Sequence, residues 1–170
     1  MKTTLKFVLV IAIVAFCSNV SAQALKLAHI NMQELIVSMS EYDTAMVKMQ
    51  KVTRGLESEL ETLNVERNKK IEEYTTNSKN WTDLVRQSKE QELQSINQRI
   101  QLFQEQAQES LQQENDKLMQ PVLEKANKAI ETVAKEQGIT YVLSSQAVLY
   151  KAIDSVDLLP AVKQHMGIKK

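Results

Sequence analysis

Chemistry needs histidine, cysteine, serine or paired carboxylates at useful spacing, and this chain of 170 residues offers few such arrangements. His29 and His165 are its two histidines. Neither has metal-ligand spacing to the other or to a carboxylate pair, so both read as structural or surface residues. Cys17 is the single thiol and leaves no disulfide partner. Gly55, Gly138 and Gly167 are isolated, which rules out a glycine-rich phosphate loop. Glu57, Glu59 and Glu61 are what a solvated helix face carries, and no serine stands in a nucleophile-elbow context. These residues describe a protein that is not an enzyme, uses no cofactor or metal, and is not driven by ATP.

What remains is architecture. From residue 41 to 137 the chain has no proline except Pro121 and no glycine except Gly55. It is rich in Glu, Gln, Lys and Leu, with apolar residues every three or four positions, the pattern of long amphipathic helix. A polar interruption near 75–82 divides the run, which predicts two helices folded back as a coiled-coil hairpin with its tip there. On the outgoing helix the 3-4 spacing passes through Met39, Tyr42, Met46, Met49, Thr53, Leu56, Leu60 and Leu63, then Arg67, Lys70 and Tyr74. The returning helix offers Leu84, Val85, Leu93, Ile96, Ile100, Phe103 and Ala107, then Leu111, Leu118, Val122, Ala126, Ala129, Ile130 and Val133. The seam is apolar near its base and charged outward, so the arm should be firm at the base and loose at the tip. Pro121 predicts a kink where the arm leaves the body. At the tip, Trp81 either packs on Tyr74, Leu84 or Val85, or is an exposed aromatic that touches a partner. These four residues are the candidate binding site.

Before the arm, Lys2 and Lys6, the apolar run Phe7–Phe16 and the small residues ending at Ala22 have the order of a secretory signal. Residues 1–22 are expected to be cleaved after Ala22, which removes Cys17 and leaves a slight acidic excess. A rival reading makes Cys17 the acylated residue of a lipoprotein, but the bulky Phe16 before it argues against that processing. The balanced charge gives no footprint for nucleic acid.

Residues 23–40 and 138–170 flank the arm and form a small body. Leu25–Met32 suits a short strand, and Asn31 with Glu34 a helix start. Gly138 suits a helix C′ position. Ile139–Leu143 and Ala147–Lys151 read as two strands of a hairpin across Ser144-Ser145-Gln146. Asp154 or Asp157 then caps a last helix containing Pro160 and closed by Gly167. The fold class is α+β and mostly helical. Three short strands expose their edges, so the body is expected to form by oligomerisation through the sheet.

Lys26-Leu-Ala-His-Ile-Asn-Met-Gln-Glu-Leu35 resembles the opening strand and helix start of the Skp/OmpH family of periplasmic chaperones. So do Gln120-Pro121-Val122, Ile130–Gly138, Tyr141-Val-Leu-Ser, Val148-Leu-Tyr150 and Asp157-Leu158 before the last helix. The resemblance implies a homotrimer whose strands share one β body, here through Leu27, Ile30, Tyr141, Leu143, Val148 and Tyr150. Helical arms would enclose a cavity that holds unfolded outer-membrane proteins without ATP and hands them to the outer-membrane insertion machinery. The chain departs from the family's basic arm tips. Between Asn64 and Glu90, Arg67, Lys69, Lys70, Lys79, Arg86 and Lys89 are offset by Glu66, Glu72, Glu73, Asp83 and Glu90. That balance does not favour contact with membrane lipid. The alternative function is a structural or adaptor coiled coil docking to one folded envelope partner.

Overall fold

A computed structural model describes residues 25–169. The signal-peptide reading of 1–22, with Cys17, lies outside them. Strand β1 (Leu27–Ile30) leads into a short helix, α1 (Met32–Val37). Asn31 caps it as its spacing suggests: the Glu34 backbone N–H donates to Asn31 Oδ1 at 3.2 Å. The helix stops at Ser38 because Met39 turns extended (φ −88°, ψ 136°) while burying its side chain. That kink separates α1 from α2 (Ser40–Asn77), the 38-residue outgoing helix. A 3₁₀ turn at Ser78–Asn80 reverses the chain, and α3 (Asp83–Glu136) returns over 54 residues. At 1.5 Å per residue these helices run about 57 Å and about 81 Å. The extra length of α3 lies past Pro121, where the helix enters the body.

Pro121 sits inside α3, which is helical on both sides of it. Its missing N–H falls at the level where the seam passes from arm to body: Val122, Ala126, Ala129, Ile130, Val133 and Ala134 are all buried just beyond. Alanines at this level let α3 approach its neighbours closely. The helix ends in a Schellman motif, with Ile139 N–H donating to Ala134 O (2.9 Å) and Gly138 N–H to Lys135 O (3.1 Å). Gly138 adopts φ +66°, which glycine does without steric cost.

The expected strand hairpin does not form. Strand β2 (Tyr141–Ser144) pairs in parallel with β1, and the third strand is β3 (Val156–Asp157), which also pairs in parallel with β1. The sheet order is β2-β1-β3. Residues 147–151, expected as a strand, belong instead to an excursion between β2 and β3. Parallel neighbours need long connections. Here the whole arm connects β1 to β2, and the excursion connects β2 to β3. Helix α4 (Leu159–His165) follows, with Asp157 Oδ1 accepting from Leu159 N–H at 3.0 Å. Gly167 (φ +70°) closes it through Ile168 N–H to Lys163 O.

One core joins these pieces. Ala28 and Ile30 from β1, Leu35 and Ile36 from α1, Met39, Ala45 from α2, the inner third of α3, and Leu158, Leu159 and Val162 at α4 are buried together. Lys163 Nζ donates to Glu34 Oε1 at 2.9 Å, and Lys125 pairs with Glu41, tying α4 to α1 and α3 to the foot of α2. A second buried cluster stands alone far along the arm: Leu63, Ile96 and Ile100, flanked by Leu60 and Phe103. The firmness of the arm therefore does not decline steadily from the base. It is interrupted by a half-wet middle and resumes at this knot. The seam also departs from expectation at Met46, which is exposed, while its neighbour Ala45 is buried.

Candidate functional site

The densest groups of apolar side chains kept in water lie at the arm tip and on the body, with others scattered singly along the arm. At the tip, Thr82 caps α3 by accepting from Val85 N–H, which fixes where the first turn points. Trp81, just before the cap, meets Tyr74 edge-on with ring centroids 5.7 Å apart and planes at 72°. Leu84 is 78% exposed, and Val85 and Ile71 are also exposed. Of the four residues expected at this site, Tyr74 and Trp81 are thus joined to each other, and Leu84 and Val85 face solvent. Neither of the last two sits on the seam assigned to them.

Ion pairs fill the seam there instead. Lys70 Nζ donates to Glu92 Oε2 at 2.9 Å, Lys89 pairs with Glu73 at 3.0 Å, Arg99 with Glu66 at 3.5 Å, and Tyr74 donates its hydroxyl to Glu90. Arg67 lies on the same seam with Nε out of water and unpartnered. The hydrogen bond from Lys70 holds the Glu92 carboxyl below the ordinary carboxylate range. Donation to Glu73 pushes the Lys89 amine up, and donation to Glu90 does the same to the Tyr74 phenol.

The sign of the pH dependence follows. A depressed carboxylate stabilises the folded arm fully above its unfolded pKa and loses that contribution as pH falls through the folded value. A raised amine contributes below its ordinary value and is lost only as pH rises through the raised one. The outer arm should therefore be closed near neutrality and loosen on acidification. Hydrogen exchange in 66–99, corrected for intrinsic rates, should quicken relative to the base of α2 as the pH is lowered from about 5 through and below the ordinary Glu value of about 4.3. Unchanged relative protection would contradict this.

On the body, Leu25, Leu27, Tyr141, Leu143, Leu149, Tyr150, Ile153 and Val156 are exposed. Four of the expected body residues, Leu27, Tyr141, Leu143 and Tyr150, belong to this set. Val148 is half-buried, and Ile30 fills the chain's own core. Leu149, Ile153 and Val156 escaped the sequence reading, since a strand assignment over 147–151 gave Leu149 a ladder partner it does not have. His29 is buried on the central strand, with Nδ1 2.9 Å from Ser145 Oγ and Nε2 3.4 Å from Ser155 Oγ. His165 is exposed near the end of α4. Among the described residues no group of three His, Cys, Asp or Glu side chains gathers to hold a metal, and no helix is long and apolar enough to cross a membrane.

A long two-helix arm on a small parallel sheet, with apolar side chains left in water at both ends, defines an arm-bearing α+β fold. The family model described as outer membrane protein (OmpH-like) matches residues 26–166, and the chain belongs to that family. Its fold is similar to a crystal structure of an OmpH-like outer-membrane chaperone candidate from Caulobacter crescentus CB15, with a TM-score of 0.72 and 14% identity over 86% of each chain. No curated protein matches the chain.

Proposed function

We propose that this protein is a periplasmic holdase that keeps unfolded outer-membrane proteins soluble without ATP and passes them to the insertion machinery of the outer membrane. In this reading residues 1–22 are a signal peptide, residues 23–40 and 138–170 associate as a homotrimer, and residues 41–137 form the arm, bending where it leaves the body at Pro121. The observation that carries the reading is the set of apolar side chains left in water along the arm, off its seam. Val47, Val65, Ile71, Leu84 and Leu102 stand exposed along a helix pair that is otherwise charged and polar. Scattered apolar side chains on a water-soluble arm grip an unfolded chain at many weak points and release it, which suits varied clients better than one deep pocket. Trp81, Tyr74, Leu84 and Val85 add a denser patch at the tip.

The purified protein, at modest molar excess and without nucleotide, should suppress light scattering when a urea-unfolded β-barrel protein is diluted into buffer. Full aggregation with the oligomer intact would refute the reading. Crosslinking from the arm should capture many clients. A single partner captured only through Trp81 would instead support an adaptor that docks end-on.

A further inference from the structure

We propose that the cleft between α3, the end of α4 and the foot of α2 binds a small phosphate dianion, either inorganic phosphate or a soluble phosphomonoester. Two cavities of about 340 Å³ and about 260 Å³ make up the cleft, and they adjoin through Lys125 and Met166, which line both. Lys128, Ala129, Thr132 and His165 complete the first. Ser38, Ser40, Glu41 and Lys169 stand in the second. The α3 side of the cleft follows from spacing. Lys125, Lys128, Ala129 and Thr132 occupy i, i+3, i+4 and i+7, one face of a helix. Ala129 is buried there and short enough to leave a hollow between the longer side chains. Beyond α4, Gly167 at φ +70° turns the chain so that Lys169 comes to the foot of α2.

Charge points to the ligand. The lining carries three ammonium groups, Lys125, Lys128 and Lys169, against one carboxylate, Glu41, which pairs with Lys125. Two positive charges remain, on Lys128 and Lys169, and neither makes an ion pair among the described residues. Neighbouring charges are engaged elsewhere, Lys163 with Glu34 and Glu131 with Lys135. Lys125 and Lys128 are like charges one helical turn apart, an unfavourable pair that an anion between them would relieve. The hydroxyls of Ser38, Ser40 and Thr132 give their hydrogens to Leu35 O, Glu41 and Lys128 O, so the donors are the ammonium groups and the His165 ring N–H. These come from α3, α4 and the chain beyond α4. A carboxylate offers one charge and two oxygens in a plane, whereas a phosphate dianion offers two charges and three oxygens that diverge to meet such donors. Ala129, Met166 and Ile168 give apolar contact for a few carbon atoms and too little for an acyl chain.

Isothermal titration calorimetry of the purified protein tests this, with inorganic phosphate and glycerol phosphate as probes and chloride holding the ionic strength constant. Saturable binding is expected with a Kd of roughly 0.1–1 mM, the range for a few charge-assisted hydrogen bonds in a water-exposed cleft. Lys128→Gln with Lys169→Gln should raise the Kd about tenfold, and His165→Ala about threefold. Lys48→Gln with Lys51→Gln removes as much charge from α2 and should leave the Kd unchanged. Proton NMR should show the His165 ring signals moving with each probe while those of buried His29 stay in place. Suppression of client aggregation should be the same in the Lys128 and Lys169 double variant as in wild type, which separates this site from the holdase reading. Heats no larger than dilution overturn the site. An equal loss in the Lys48 and Lys51 variant overturns it too, because general charge attraction would then suffice. Binding to phosphatidylglycerol vesicles without binding to either soluble probe likewise overturns it, since that needs only a charged surface.

Discussion

Leu35→Ala should lower the thermal midpoint by roughly 10 °C, the shift expected for a loss of about 3 kcal/mol in a domain of this size. Leu35 is fully buried, on a helix of only six residues wedged between β1, the foot of the arm and α4. Truncating it leaves a cavity that its neighbours cannot close, because β1 is held by ladders on both sides and α3 is held by Ala126 and Ala129 in close approach. A small domain has a net stability of about 5–15 kcal/mol, so this one side chain is a large share of it. Leu35→Met conserves volume and should cost less than about 1.5 kcal/mol. Both variants should be melted at one fixed concentration, since self-association would shift the midpoint by mass action. A Leu35→Ala midpoint within about 2 °C of wild type would mean that the core relaxes around the site.

The core of the body shows how far sequence alone reaches. Asn31, Gly138, Asp157 and Gly167 were legible because a cap is a local event: a side chain or a positive φ within a few residues satisfies the helix end. Strand partners are not local. The composition of 139–151 says pleated and half-apolar, but β1, the true partner of β2, lies at the far end of the arm in sequence. A hairpin was the nearest closure available, and the sheet is parallel instead. The seam failed by one residue at Ala45 and Met46 for a related reason. A 3-4 spacing accepts either neighbour, and the close approach at the base selects the smaller side chain over the more apolar one. At the tip, Leu84 and Val85 have seam-like types, but the Thr82 cap aims the first turn of α3 so that both face water. The pairing of His29 with two serines had no signal at all, since single serines at a strand end and in a loop look like ordinary turn residues.

The second large effect belongs to Ile96. It is 2% exposed and, with Leu63 and Ile100, forms a buried knot that touches neither the body core nor the tip. Inward of it the seam is half-wet: Thr53, Leu56, Leu60, Phe103, Ala107 and Leu111 line an open groove of about 450 Å³. Outward of it lie the pairs of Lys70 with Glu92 and Lys89 with Glu73, which are individually weak and screened by salt. The knot is therefore the apolar clamp on which the outer arm depends. Ile96→Ala should cost about 2–4 kcal/mol, but locally rather than globally. Hydrogen exchange in the outer arm should quicken by roughly 30-fold or more, while the body keeps its protection and the thermal midpoint moves less than in Leu35→Ala. Added salt should widen the difference, because once the knot is gone only the screened pairs remain. Equal loss of protection throughout would show that arm and body unfold as one unit. If instead exchange is unchanged, the ion pairs alone hold the tip. In the holdase reading proposed above, an outer arm that opens on its own, hinged at a clamp part-way along, would bend its scattered apolar side chains around clients of different size without disturbing the body.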